Sequence, residues 1–239
     1  AEVYVTNDNY DATVAKAKKR CEKENKIVRK NTWSLVQDTA WDGYEEVPLQ
    51  IMKGYWTQIH EITEQIISSN VDVLFLQVGG GSWAASIASY IMIFWKNPPI
   101  IITVEPLSAN CVYKSMKTGQ RVSINNNKET IMVGLDCGTV SKIAWKILKN
   151  YVHYSLAISD GFAKSAMRLL AHPIKNDKVI IAGESGAGGM AGLLALYENK
   201  KDFGKRILTS STTALIINTE GDTDPYSYNK IIRMENERL

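Results

Sequence analysis

Four short β-branched apolar runs, Val73–Gln77, Ile100–Glu105, Lys178–Ala182 and Ala214–Asn218, are each bounded by Gly, Pro, Asn or Asp. Runs without polar alternation are strands buried on both faces, and a sheet built from them needs helices on both sides. Segments with the helical period lie between them, at Trp83–Trp95, Val140–Leu148, Phe162–Leu170 and Met190–Tyr197, and an amphipathic segment from Tyr226 to Arg238 follows. This alternation predicts an α/β fold with a mostly parallel sheet covered by helices on both faces.

The first part of the chain continues the pattern. Glu2–Thr6 alternates like a strand, Tyr10–Asn25 carries Val14, Ala15, Ala17 and Cys21 at helical spacing, and Trp33–Gln37 is a second strand candidate, so a βαβ unit is expected. From Pro48 a helix is expected, because Ile51, Met52, Tyr55, Ile59, Ile62, Ile66 and Ile67 recur every three or four residues. The basic cluster from Lys16 to Lys30 is interleaved with Glu22 and Glu24, which suits a solvated helix face and loop.

A formal charge of +3, from 28 Lys and Arg against 25 Asp and Glu, gives no reason to expect a nucleic-acid or membrane partner. The longest apolar stretch, Ala84–Trp95, is interrupted by Ser86, Ser89 and Tyr90 and falls short of a bilayer span. Cys21, Cys111 and Cys137 form no CxxC pair, and His60, His153 and His172 are isolated. No disulfide framework and no metal site is therefore expected, and a reducing cytoplasmic setting fits. No signal peptide is visible, and the chain opens without Met inside a strand-like run, so it is expected to be a piece of something longer.

The chemistry is concentrated in loops. Gln77-Val78-Gly79-Gly80-Gly81-Ser82 follows a buried strand and opens a helix. Three glycines there let backbone N–H groups approach an anion, the helix N-terminus adds its dipole, and Ser82 adds a hydroxyl donor. A plain strand-to-helix turn needs only one or two glycines. Neither a Walker lysine nor a spaced GxGxxG is present. Asp38 follows a strand candidate, where it is either a turn or N-cap residue or a ligand group at a sheet's C-terminal edge. Glu184 lies in a second glycine-rich loop, Gly183–Gly189, that leads into a helix. The carboxylates Glu220, Asp222 and Asp224 fit a polar turn before a helix.

The Gly79–Ser82 loop resembles the GGGSNA loop of the tryptophan-synthase-like, fold type II pyridoxal-phosphate enzymes. VQDTAWDGYEEVP (36–48), AGESGAGGMAGLLAL (182–196) and NTEGDTDPYSY (218–228) resemble segments of the diaminopropionate ammonia-lyase family within that class. VEPLSANCVYKS (104–115), TIMVGLDCG (130–138) and AMRLLAHP (166–173) resemble further segments in the same order.

The resemblance implies pyridoxal 5'-phosphate as cofactor and α,β-elimination of 2,3-diaminopropionate to pyruvate and ammonia, with a homodimer as the assembly. It implies that Asp38 is an active-site carboxylate and that Gly79, Gly80, Gly81 and Ser82 hold the phosphate. Glu184 becomes a cofactor contact. Asn218 or Thr219 approaches the pyridine nitrogen, Asn218 standing where relatives carry Ser. It further implies a remnant of a smaller α/β lobe at residues 1–44 and a large cofactor-binding domain at 45–239.

The family's Schiff-base lysine sits in a Ser/Ala-Phe-Lys segment that this sequence lacks, and Phe162-Ala163-Lys164 falls in a different part of the pattern. A TTDGNHG-like loop carrying a second aspartate is also missing. The expectation is an inactive fragment of a lyase. The alternatives are a serine/threonine dehydratase-like lyase or a truncated non-catalytic protein that binds an anion or a partner.

Overall fold

The structure is a computed structural model that describes residues 1–8, 10–28, 32–66, 70–125, 128–199 and 203–233. Four parallel strands, β1 (Val73–Gln77), β2 (Ile100–Pro106), β3 (Tyr154–Ile158) and β4 (Ala214–Ile216), form one sheet in the order β3-β2-β1-β4. In register, Leu74 lies beside Ile101 and Leu215, and Val104 lies beside Leu156. The helices are α1 (Tyr10–Val28), α2 (Glu46–Gln65), α3 (Ser82–Phe94), α4 (Cys111–Thr118), α5 (Lys142–Tyr151), α6 (Asp160–Ala171), α7 (Gly188–Glu198), α8 (Phe203–Ile207) and α9 (Pro225–Arg233).

The pleat of β1 explains the two layers. Leu74 and Leu76 point into a cluster with Met52 and Ile59 of α2, Ile87 and Ile91 of α3, and Ala144 and Leu148 of α5. Val73 and Phe75 point the other way, toward Met167 of α6, Ala191 of α7 and Ile231 of α9. All four are fully buried, and each such side chain contributes about 1.5–3 kcal/mol. Small residues on α3, including Ala84, Ala85, Ala88 and Ser89, are buried and let it pack closely between α2 and α5. Among the described residues no helix is long and apolar enough to cross a membrane.

Three expected strands are not strands. Glu2–Thr6 has no ladder partner among the described residues, and Val3 and Val5 are 84% and 89% exposed. Its alternation alone therefore does not make a strand. At Trp33–Gln37 the backbone bonds to side chains instead of to another strand: Asn25 Nδ2 donates to Trp33 O at 2.9 Å, and Tyr44 Oη donates to Leu35 O at 2.7 Å. The expected βαβ unit is accordingly absent among the described residues. Lys178–Ala182 runs beside helix and loop groups, with Ile180 N donating to Leu170 O and Asn218 Nδ2 donating to Ile181 O.

The third strand in chain order is instead Tyr154–Ile158, at one end of the sheet. This half-exposed edge strand has a mixed polar sequence that does not read as a buried run. The expected helix from Pro48 begins at Glu46, with Pro48 buried in its first turn. Ile67, Arg29, Lys30 and residues 234–238 of the last expected helix lie outside the described residues.

Candidate active site at the C-terminal edge of the sheet

The polypeptide leaves β1 at Gln77, turns through Val78–Gly81 and enters α3 at Ser82. Gly81 caps α3 in the left-handed region at φ +94°, and a Cβ there would also meet Leu148 Cδ1 at 3.1 Å. A Cβ at Gly80 would sit 3.1 Å from Thr39 Oγ1. Backbone from two distant parts of the chain therefore converges at the start of α3, where the dipole favours an anion.

Asp38 is tied to this loop. Ser82 Oγ donates to Asp38 O at 2.8 Å, and Tyr10 Oη, from α1, donates to Asp38 Oδ1 at 3.0 Å. Burial, and then the Asp38 charge, push the Tyr10 hydroxyl above its usual range, so it stays a neutral donor. Ala40 N donates to Ser141 Oγ at 2.9 Å, Ser141 N donates to Gly80 O at 2.8 Å, and Lys142 N donates to Ala40 O at 2.9 Å. The start of α5 thus holds both the Asp38 segment and the glycine loop.

Lys142 also pairs with Asp42 and, at 2.7 Å, with Glu45, holding both carboxyls below their usual range. Trp41 and Tyr44 stack 4.5 Å apart across the intervening turn. Beside the loop, burial pushes the Cys137 thiol up to about 12, so it is an uncharged neighbour of Gly79.

Thr39 Oγ1 is buried and has no hydrogen-bond partner among the described residues. A spare hydroxyl beside Gly80, a glycine cradle and a helix N-terminus together fit a phosphate group.

The remaining sequence-predicted residues occupy different places. Glu184 is half-buried and lines a cavity of about 520 Å³ with Gly134, Lys164, Glu220, Asp224 and Lys230, a lining that includes none of Gly79–Ser82. Burial, then the charges of Glu220 and Asp224, raise its carboxyl above the usual range. Asn218 spends its amide on the backbone: Nδ2 donates to Ile181 O at 2.8 Å and Oδ1 accepts from Glu220 N at 3.2 Å. Thr219 Oγ1 accepts from Gln77 Nε2 at 2.8 Å. Glu220 Oε2 takes the N–H groups of Ser185 and Gly186, at 2.8 and 3.2 Å, and so braces the loop before α7. Among the described residues no group of three or more His, Cys, Asp or Glu could hold a metal ion.

Sequence reasoning missed Tyr10, Thr39, Gln77 and Ser141. Gln77 left a signal, as the one polar residue of β1 directly before the glycines. Tyr10 left none, because its link to Asp38 crosses 28 residues and depends on how α1 docks.

The chain is 39% identical over 242 residues to diaminopropionate ammonia-lyase of Salmonella typhimurium, covering 97% of this chain and 58% of that protein. It is 35% identical over 238 residues to the same enzyme of Escherichia coli K12, with the same coverage. The crystal structure of the Escherichia coli enzyme in complex with an aminoacrylate-PLP azomethine reaction intermediate superposes with a TM-score of 0.86 at 34% identity, over 96% of this chain and 58% of that one. The chain thus spans 58% of the length of these relatives. Residues 1–217 match the family model of pyridoxal-phosphate dependent enzymes, and the chain belongs to that family.

Proposed function

We propose that the polypeptide carrying this chain is a carbon–nitrogen lyase that converts 2,3-diaminopropionate and water to pyruvate and two ammonia molecules by α,β-elimination, with pyridoxal phosphate as cofactor. The observation that carries this reading is the direct wiring of Asp38 to the phosphate-type loop through Ser82 Oγ and Asp38 O at 2.8 Å. An anion cradle and a carboxylate held at one sheet edge suit a phosphate-bearing cofactor and an amino-acid substrate carrying a second ammonium.

When bound, the cofactor supplies the electron sink that makes an α-proton removable and a β-substituent expellable. The chain's own residues orient and charge-match. The N–H groups of Gly79, Gly80, Gly81 and Ser82 would hold the phosphate oxygens, the expected Ser82 hydroxyl donor being spent on Asp38 O. Asp38, steadied by Tyr10 at 3.0 Å, pairs with the substrate's side-chain ammonium and takes a proton from or returns one to that nitrogen. Asn218 or Thr219 would approach the ring nitrogen, and Glu184 would contact the cofactor from the loop before α7.

The same reading assigns residues 1–44 to a smaller lobe and 45–239 to the cofactor-binding domain, supported by α1, which contributes no buried residue to either core cluster. It assigns the Schiff-base lysine to polypeptide outside these 239 residues, so the isolated chain is a catalytically silent fragment. A cytoplasmic homodimer completes the proposal, supported by the family pattern and by the three free cysteines.

The test compares pyruvate, 2-oxobutyrate and ammonia release by the longer polypeptide from 2,3-diaminopropionate, serine and threonine. Diaminopropionate is expected to give pyruvate and ammonia in a 1:2 ratio with the highest kcat/KM. Preference for serine or threonine, or no product from any, would overturn the proposal. Sedimentation of the same protein reads the dimer.

A further inference from the structure

Gln77 closes a strand whose other four residues are apolar, and it is only 3% exposed. Its Nε2 donates to Ile217 O at 2.9 Å and to Thr219 Oγ1 at 2.8 Å, while its Oε1 is buried without a partner among the described residues. The carbonyl of Ile217 can only accept, so the amide can point only one way, and both its hydrogens are used. The first turn of α7 lies directly on this side chain: a Cβ at Gly188 would fall 2.8 Å from Gln77 Cβ, and one at Gly189 would fall 3.2 Å from Oε1. The amide is clamped before any ligand arrives.

This geometry sets the polarity of Thr219. A hydroxyl has one hydrogen, and an Oγ1 that accepts from Gln77 must turn that hydrogen elsewhere. Thr219 is exposed at the C-terminal edge of the sheet, one strand from the glycine loop, so the hydrogen is presented outward. Asn218 is held from another side, its Nδ2 giving one hydrogen to Ile181 O and its Oδ1 accepting from Glu220 N, so it faces the 181–186 segment and not Gln77.

We propose that Gln77 is a positioning residue that fixes Thr219 as a hydrogen-bond donor toward an acceptor atom of the bound cofactor, its ring nitrogen in the unprotonated form. The inference rests on the functional reading above. It adds which of Asn218 and Thr219 makes the contact and what sets its direction. A donor already oriented costs no reorganisation on binding, whereas a hydroxyl free to rotate would accept a proton from a pyridinium equally well.

The experiment uses the longer polypeptide loaded with ring-15N pyridoxal phosphate and reads two quantities, the dissociation constant of the cofactor and the 15N resonance of the ring nitrogen. In Gln77→Met the side chain has no hydrogen to give, so Thr219 is no longer held as a donor and can show its lone pairs to the ring. Affinity is expected to fall about tenfold, the worth of roughly one hydrogen bond. The resonance is expected to move upfield toward a pyridinium value.

Thr219→Val removes the contact and also the acceptor of one Gln77 hydrogen, so its unfolding in urea is read beside binding. It is expected to weaken binding similarly, whereas Thr219→Ser retains the wild-type resonance. An analogue with CH in place of the ring nitrogen is expected to bind wild type and Thr219→Val equally. If wild type binds the cofactor and Thr219→Val changes neither quantity, the inference on Gln77 is overturned while the functional reading stands. If Gln77→Met folds with an unchanged resonance, the polarity argument fails. If wild type does not bind pyridoxal phosphate, both readings fail.

Discussion

Tyr10 Oη donates a 3.0 Å hydrogen bond to Asp38 Oδ1, so the first helix of the chain reaches the carboxylate beside the glycine loop. The rest of the Asp38 segment is held from the other side by Ser82 and Ser141. One oxygen of Asp38 is therefore oriented by a neutral phenol, and the carboxylate has a fixed direction without an ion-pair partner among the described residues.

Substituting the pair separates orientation from chemistry. Asp38→Asn is expected to leave cofactor affinity within about twofold and to lower kcat for diaminopropionate by about 10²–10⁴-fold, the range of a lost proton-transfer group. Tyr10→Phe is expected to lower kcat/KM about tenfold, the scale of one hydrogen bond to a charged group. It should cost nothing further in the Asp38→Asn background. Steady-state pyruvate assays of the two single variants and the double variant check this, and additive losses would mean that Tyr10 acts elsewhere.

Gly81→Ala places a side chain at φ +94° and within 3.1 Å of Leu148 Cδ1 and 3.2 Å of Ala144 Cβ. Left-handed strain of about 1–2 kcal/mol and overpacking of similar size add, so destabilisation of about 2 kcal/mol or more is expected in urea unfolding, with loss of phosphate binding. Gly54→Ala is the control: it lies within α2 with nothing within 4 Å of its Cβ and ordinary backbone, and a gain of about 0.5–1 kcal/mol is expected. A tolerated Gly81→Ala would show that α5 yields around the loop.

Glu105 is fully buried at the end of β2, where its carboxyl accepts the N–H groups of Val112 and Tyr113 at 2.8 and 2.6 Å and caps α4. Burial outweighs these bonds and pushes its pKa up to about 8, from 4.5. A raised carboxyl stabilises the fold fully below the unfolded value, and that contribution is lost as pH climbs through the folded one. Wild type is therefore expected to lose stability relative to Glu105→Gln from about pH 4.5 to about pH 8, with a slope of up to about 1.4 kcal/mol per pH unit, and to run parallel above it. Denaturant midpoints of both proteins across that window provide the check, and parallel curves throughout would rule out a titrating Glu105.

Legibility followed burial symmetry. β1 and β2 were readable because both faces of each are covered, leaving unbroken apolar runs. β3 was not, because its half-exposed edge carries Tyr154 and Ser155, while Val179, Ile180 and Ile181 have strand composition without ladder partners among the described residues. The glycine loop was readable because Gly79, Gly80 and Gly81 are contiguous with the strand and helix that position them. The link between Glu184 and the loop was not, since Glu184 turns toward Glu220 and Asp224.

The sequence by itself determined the parallel α/β layering, the glycine-rich strand-to-helix loop and the family, because each is written in local periodicity or in contiguous motifs. Only the tertiary structure decided that Tyr10 reaches Asp38, that Ser141 holds two loops together, and that Gln77 fixes the direction of Thr219, its partner 142 residues along the chain. The reason is that hydrogen-bond direction depends on which backbone groups folding brings opposite a side chain, and neither residue type nor spacing carries that information.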